Sequence, residues 1–517
     1  MPRRYLPFIV ILLFAFAVRM WDIDARSLWF DEAVEYWSAE VSLPELPRTA
    51  VSALQPPLFS FLLHFWSHLG TTAIWLRTLS VFLSVLAVLG TMLTARLLFG
   101  VKAGMVAGLI TAVMPSEIRY AQEVGEYALV GCALTWSLAF LVQAPKYSRW
   151  RYWILWGCCS IASVYSHYGA ALVVFATGLV SWLSNLWRKD QQSFIRQSMV
   201  AISGLLFAVP LSLPLMRQFH STSEHVVVPA SRSVVAEIGA FVISIGDTFL
   251  FHLTGWPYSQ LPKYIGLILI GLVFFLWLVT LVWGSLRRTS CWWLLASYTF
   301  YYLTVRLGLY AYGVFGFRYA LVLTPLLILA IVAVVEQLRR KEHRWLASGL
   351  VGALLALSVL SLPNRTLSDV TRRNLAWPET QDMREIVDYW ARYRHADEPT
   401  YVYYGAVPAF RYYLQQRGLE TAQLPALWYS HCWSQSAPDY CRTDNIFYGS
   451  WIRNRSPEMK LDSIWKTLGI QPSRLWLVFS HVYPGERESI LRGLSEAYQV
   501  SLTYERSGAV VYLVERR

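Results

Sequence analysis

Leu6-Pro7-Phe8-Ile9-Val10-Ile11-Leu12-Leu13-Phe14-Ala15-Phe16-Ala17-Val18-Arg19-Met20-Trp21, preceded by Arg3 and Arg4 and followed by Asp22, decides the fold class. The stretch looks at first like a signal peptide. No small-residue cleavage pattern follows it, however, and further runs of the same kind come after, so it reads as a retained first membrane helix. Arg3 and Arg4 place the N-terminus in the cytoplasm, and Asp22 to Arg48, with seven acidic and two basic residues, reads as an external loop.

Working outward, apolar runs of membrane-spanning length recur near 72–98, 103–116, 127–143, 152–166, 169–187, 198–214, 263–285, 291–308, 318–337 and 345–362. Alternating sides from the first helix puts Arg96/Lys102, Lys146/Arg149/Arg151, Arg188/Lys189/Arg196, Arg287/Arg288 and Arg339/Arg340/Lys341/Arg344 on one face, the cytoplasmic one. About 11 spans result, or up to 13 if Pro56–Leu69 and Val234–Leu253 also cross. Two prolines open the first of these and its apolar part is short, so an interfacial helix is the better reading. The expected fold is therefore a polytopic α-helical membrane domain over 1–362, with outer-face loops 22–71 and 217–262. The same parity puts 363–517 outside the plasma (inner) membrane as a soluble α/β domain. Strands are expected at Thr400–Tyr404, Leu475–Ser480, Val500–Glu505 and Ala509–Val514, and helices at Gln381–Tyr393, Pro408–Arg417 and Pro484–Tyr498.

Composition agrees. Of the 517 residues 55% are hydrophobic and 15% charged, well below the roughly 25% charge of soluble domains. With 24 Trp and 30 Tyr there is ample material for interfacial belts. The net charge of +12 gathers in short loops between apolar runs, which is a topology signal and gives no reason to invoke nucleic acid. The six cysteines have no metal-like spacing. Cys132, Cys158, Cys159 and Cys291 fall in apolar runs and read as small core residues, whereas Cys432 and Cys441, in the outer tail, could form a disulfide or stay free.

Four polar clusters interrupt this pattern. Arg26-Ser-Leu-Trp-Phe-Asp31-Glu32-Ala-Val-Glu35-Tyr-Trp37 is expected to form a short amphipathic helix, with Asp31 and Glu35 on one face and Trp29, Phe30 and Trp37 available to dock on the membrane surface. Arg119-Tyr-Ala-Gln-Glu123-Val-Gly-Glu126-Tyr127 puts acids at a span boundary, where ionisable groups are costly unless paired or wetted. Tyr165-Ser-His167-Tyr168 and Phe315-Gly-Phe-Arg318-Tyr319 add an imidazole and a guanidinium at outer boundaries. Taken singly, each has an ordinary explanation: outer-loop acids, a helix-start acid near the positive dipole end, an interfacial histidine, a snorkelling arginine. Together they supply carboxylates that accept a proton from a hydroxyl and cations that hold a phosphate.

These residues resemble glycosyltransferase family 39 and its bacterial relatives of GT-C architecture, the protein O-mannosyltransferases and the lipid A aminoarabinose transferase. The resemblance runs in order through Ser27-Leu-Trp-Phe-Asp31-Glu32-Ala, Gln55-Pro56-Pro57-Leu58-Phe59, Leu76-Arg77-Thr-Leu-Ser80, Tyr120-Ala-Gln-Glu123 to Tyr127-Ala-Leu, Tyr165-Ser-His167-Tyr168 and Arg318-Tyr319 to Pro325, and on to Met383-Arg384-Glu385-Ile386 and Tyr412-Tyr413-Leu414. Gln55 stands where the family commonly has His, and Gly125 where it has Arg. The resemblance implies an inverting transfer of a sugar from a polyprenyl-phosphate-linked donor to a hydroxyl acceptor of the cell envelope. In that reading Asp31 is the general base and Glu123 positions the acceptor or supports the base. Arg77, His167, Arg318 and Tyr319 contact the donor phosphate, with Glu32, Tyr127 and Gln55 in support. Asp31-Glu32 offers a divalent cation two carboxylates but no second set of ligand spacing; the resemblance favours a metal-free reaction and implies no cofactor. Two other readings stay open. A transporter or flippase of a lipid-linked sugar is disfavoured by span interiors nearly free of acids, and an inactive relative whose tail binds a partner is disfavoured by the retained Asp31.

Overall fold

The computed structural model describes residues 5–52, 55–212, 233–254, 289–307, 309, 316–340, 342–361, 381–419, 442–443, 445–450, 457–482 and 485–517. It divides into two compact units, one of Met1–Trp21, Ala53–Phe59 and Arg77–Ala376, the other of Asp22–Ser52, Ser60–Leu76 and Trp377–Arg517. The expected span 263–285 and the pair Cys432 and Cys441 lie outside the described residues.

The first unit is helical. Among the described residues six stretches are long and apolar enough to cross a membrane: Ala73–Phe99, Tyr127–Tyr147, Ala170–Trp187, Gln191–Leu211, Ala236–Leu253 and Arg318–Arg340. A seventh is the pair Val101–Val113 and Pro115–Ala121, bent by 61°. The expected straight span 103–116 is thus broken, because Pro115 has no N–H to continue the ladder and its ring collides with the preceding turn. Leu6–Met20 and Arg344–Leu360 are shorter apolar helices. The expected spans 152–166 and 291–308 do form helices, Trp150–Ser166 and Thr289–Arg306, but their apolar character is diluted by Ser, Thr and Tyr. Val234–Leu253, left open between an interfacial helix and a span, forms the helix Val234–Thr254, with a window long and apolar enough to cross. Leu58–Ser67, with 10 residues, rises only about 15 Å and is too short to span. The protein is an integral membrane protein.

Burial sorts these helices. The window of Arg318–Arg340 is 89% buried and that of Gln191–Leu211 only 11%, so the first runs through the core and the second presents Ile202, Leu205 and Phe207 outward. Around the central helix pack Trp153, Trp293, Phe249 and Tyr298. Small residues let helices approach: a Cβ on Gly90 would come within 2.5 Å of Thr135 Oγ1, and Ser137 and Ser160 share a hydrogen bond of 2.8 Å between Tyr127–Tyr147 and Trp150–Ser166. Cys132 and Cys291 are buried as expected. Cys158 is exposed and Cys159 half-exposed, because they sit on the outward side of Trp150–Ser166.

The second unit is built on a mixed six-stranded sheet in the order β2-β3-β1-β4-β6-β5. The strands are β1 (Thr400–Val402), β2 (Arg442–Thr443), β3 (Ile446–Tyr448), β4 (Arg474–Ser480), β5 (Tyr498–Arg506) and β6 (Ala509–Arg516). β1 runs parallel to β3 and β4, while β6 pairs antiparallel with β4 and β5. Pro457–Leu468 and Glu486–Leu494 cover one face, where Ile464, Leu468, Ile490 and Leu494 meet Tyr401, Leu475, Leu477 and Phe479. Met383–Tyr393 and Val407–Gln416 cover the other: Trp390 Nε1 donates to Thr400 Oγ1 at 3.0 Å and its ring meets Phe410 edge-on at 5.1 Å. The expected strands and the first two helices are present. The expected helix Pro484–Tyr498 is shorter, Glu486–Leu494, and Tyr498 already opens β5. The short strands β2 and β3 and the helix Pro457–Leu468 were not foreseen.

Candidate active site

Asp31, Glu32 and Glu35 lie on the helix Phe30–Ala39, in the second unit. Its start is organised by Glu32, whose Oε2 accepts from Trp29 N at 3.4 Å and so meets one of the N–H groups that a helix start leaves without a partner. Glu35 is buried and accepts from Ser60 Oγ at 3.1 Å, while Asp31 is half-buried. Asp31 and Glu35 share a face at the expected spacing. The aromatic residues, expected on a membrane surface, are instead held within the unit. Phe30 stacks on His481 with ring centroids 4.5 Å apart, and Trp37 Nε1 donates to Pro408 O at 3.0 Å beneath the Arg411 guanidinium at 4.3 Å. A ring with an apolar face and a polar edge is better satisfied by a carbonyl and a cation than by lipid alone.

Further bonds fasten the same segment. Leu28 N donates to Tyr413 Oη at 2.7 Å, Phe30 N to Gln381 Oε1 at 3.0 Å and Tyr36 Oη to Gln415 Oε1 at 2.9 Å. Arg384 grips Asp24 with both terminal nitrogens, at 3.0 and 2.6 Å.

The remaining candidates belong to the first unit. Glu123 sits in the connection between Pro115–Ala121 and Tyr127–Tyr147, with Tyr127 as the first residue of the second helix. It is buried and pairs with Arg119 at 3.5 Å. Tyr127 lies against Tyr120 at 4.8 Å and against His167 at 5.6 Å, and His167 lies against Tyr319 at 5.9 Å. Arg318 stands 5.2 Å over the Tyr319 ring and donates to its hydroxyl at 3.3 Å. Three distant stretches of sequence therefore meet in one polar patch. Arg77 is fully buried near the start of Ala73–Phe99, and Gln55 is half-buried just ahead of Pro56.

His167 follows the end of Trp150–Ser166, and its Nδ1 accepts from Gly169 N at 3.1 Å, which leaves the ring proton on Nε2. Burial, helped by the nearby Arg318 charge, pulls its pKa down to about 4. The imidazole is thus neutral at physiological pH and offers an N–H donor; the positive charge of the patch comes from the arginines. Tyr165, expected beside it, has its hydroxyl turned to Phe207 O at 2.8 Å.

Two residues of the first unit went unread in the sequence. Arg19 is wholly buried in Leu6–Met20 and donates to Ser84 Oγ at 2.8 Å, Ala15 O at 3.2 Å, Ala112 O at 3.1 Å and Thr111 O at 3.1 Å. Gln122, next to Glu123, donates from Nε2 to Arg19 O at 2.9 Å and Trp21 O at 2.8 Å. An arginine inside an apolar run, with a proline in a second run, was the available signal. Among the described residues no three His, Cys, Asp or Glu side chains converge so as to hold a metal ion.

Apolar helices around a patch of acid, imidazole, phenol and guanidinium define an integral membrane protein with a built polar site. Residues 54–216 match the family model described as dolichyl-phosphate-mannose-protein mannosyltransferase, so this part of the chain carries the sequence pattern of membrane glycosyltransferases. Arg77, Glu123, Tyr127 and His167 fall inside the matched segment; Asp31, Arg318 and Tyr319 fall outside it. No curated protein matches the chain significantly. Among solved structures the chain is similar to ArnT from Cupriavidus metallidurans bound to undecaprenyl phosphate, with 15% identity over 98% of this chain and 97% of that one and a TM-score of 0.41. It is also similar to the Archaeoglobus fulgidus oligosaccharyltransferase (12% identity, 98% and 73% covered, TM-score 0.47). The Saccharomyces cerevisiae Pmt1–Pmt2 complex bound to the sugar donor matches more narrowly (16% identity, 42% and 33% covered, TM-score 0.32).

Proposed function

We propose that the protein transfers a sugar, with inversion, from a polyprenyl-phosphate-linked donor to a hydroxyl acceptor of the cell envelope, on the outer face of the plasma membrane. The observation that carries this reading is the convergence of Glu123, Tyr127, His167, Arg318 and Tyr319 from separate stretches, three of them within the segment matched by the mannosyltransferase family. A guanidinium and a neutral imidazole N–H suit a departing phosphate, since both donate hydrogen bonds to anionic oxygens and the guanidinium adds charge. The acceptor hydroxyl attacks the anomeric carbon from the face opposite the phosphate, and its proton passes to Asp31. Glu123, held by Arg119, positions the acceptor or supports the base. The bond to the phosphate breaks ahead of proton transfer, so an ordinary carboxylate is basic enough.

The test is transfer of radiolabel from a panel of polyprenyl-phosphate sugars to membrane acceptors, by the wild type and by Asp31→Asn. Transfer by the wild type alone is expected; a variant keeping most of its turnover removes Asp31 as the base. The broken helix at Pro115, with Arg19 and Glu117 near the break, is a feature that transporters share. Flipping of a donor across vesicles without any transfer would favour that second reading.

A further inference from the structure

In the sheet, β1 and β4 are adjacent and parallel, yet the helix after β1 (Val407–Gln416) and the helix after β4 (Glu486–Leu494) lie on opposite faces. Neighbouring parallel strands whose connections diverge leave a crevice beyond their carboxyl ends, and in open α/β sheets that crevice is where ligands bind. Here the chain itself is fastened there. His481 follows the last residue of β4, and its ring stacks on Phe30 at an interplanar angle of 10°. Phe30 is the first residue of the acidic helix and the immediate neighbour of Asp31.

The hydrogen bonds run in one direction. Phe30 N donates to Gln381 Oε1, so the other end of that amide, Nε2, must donate to His481 Nδ1, 2.8 Å away. The chain fixes the amide orientation and puts the imidazole proton on Nε2. His481 adopts a left-handed backbone with φ of 51°, which a side chain other than glycine adopts at a cost. Behind it, a Cβ on Gly405 would come within 2.7 Å of His481 O and 2.8 Å of Ser480 O, so only glycine lets the end of β1 pass this close to the end of β4. A strained histidine, a fixed amide and an obligatory glycine converge on the first turn of the helix that carries Asp31.

We propose that His481 and Gln381 are positioning residues for Asp31, and that the C-terminal domain is a working part of the transferase. This rests on the reading of Asp31 as the general base. Both residues act through the Phe30 amide and ring, with no contact to the substrate. Gln381→Leu removes both hydrogen bonds. His481→Phe keeps a ring to stack on Phe30 and loses the acceptor. Gln381→Glu keeps the acceptor for Phe30 N and can accept a hydrogen bond from Nδ1–H of a re-tautomerised or charged His481.

The experiment uses the full-length protein in nanodiscs and reads two quantities: steady-state kinetics with the polyprenyl-phosphate sugar the wild type accepts, and amide hydrogen exchange over residues 27–37. Gln381→Leu and His481→Phe should lower kcat at least tenfold, leave the donor KM within about twofold, and speed exchange at Phe30 and Asp31. Gln381→Glu should recover most of the kcat lost in Gln381→Leu. Wild-type exchange in the two disruptive variants of an active enzyme would overturn the positioning role, as would wild-type kcat despite faster exchange. Faster exchange with no transfer by the wild type from any donor would instead remove the transferase reading, and the catalytic half of this proposal with it.

Discussion

Replacing Arg19 by Met should loosen the bend that leads into Glu123. The helix Val101–Val113 ends at a break, and Pro115 has no N–H to offer the carbonyl of Thr111 four residues earlier. Arg19 takes over, donating to Thr111 O and Ala112 O at 3.1 Å each. Methionine fills much of the volume but donates nothing. Two buried carbonyls left without a donor cost about 1–3 kcal/mol each, or roughly 2–6 kcal/mol together. Thermal unfolding of the purified protein in detergent is the assay. Arg19→Met should melt several degrees below wild type and Arg19→Lys in between, since an ammonium can reach only some of the same carbonyls. An Arg19→Met protein that melts with the wild type would refute the account of the bend.

Arg318→Ala should raise the donor KM by roughly 10- to 100-fold, the worth of one charge-assisted hydrogen bond, and barely move the acceptor KM; equal losses in both would make Arg318 a support for the fold. His167 is held neutral, its pKa lowered from 6.5 to about 4, so the unfolded chain binds the extra proton first as pH falls. Stability should therefore be complete above about pH 6.5 and fall by roughly 3 kcal/mol toward pH 4, a slope that His167→Asn should flatten in melting curves at pH 7 and pH 5. The Arg384–Asp24 pair is bidentate but partly exposed on both sides, so Arg384→Ala should cost no more than about 1 kcal/mol of stability; a larger loss in the same melting assay would show that the pair anchors the first loop.

Much of this architecture was legible because its signals are local. Apolar length marked the spans Ala73–Phe99, Tyr127–Tyr147, Ala170–Trp187 and Arg318–Arg340; period-two alternation marked β5, and short continuous apolar runs marked β4 and β6. The break at Pro115 went unread because the run looked continuous in composition, and the role of Arg19 cannot be seen from its own neighbours: its partners are up to 93 residues away. The patch of Glu123, Tyr127, His167 and Arg318 was partly legible, since polar residues at span boundaries stand out against apolar sequence. His481 and Gln381 were not, because their meaning comes from residues 351 and more positions earlier in the chain. The three-residue strands β1 and β3 were at the limit of detection; β1 was found by its run of Thr, Tyr and Val, while β3 has three residues and a glycine after it.

The placement of Asp31 follows from how short its helix is. Ten residues are too few to hold a helix in water on their own, where isolated helices below about 12–15 residues are marginal. Glu32 caps one end, but a cap contributes only about 1 kcal/mol. The rest must come from packing: Ser60 and His64 bond to Glu35 and Ala39, and the larger group of partners of the helix and of the residues just before it, Gln381, Pro408, Arg411, Tyr412, Tyr413, Gln415 and His481, comes from the last 140 or so residues of the chain. The acidic helix therefore draws the larger share of its anchors from the C-terminal sheet and its helices. A motif met near the start of the chain acquires its geometry from the end of it, and a substitution in that last domain reaches Asp31 without touching any substrate.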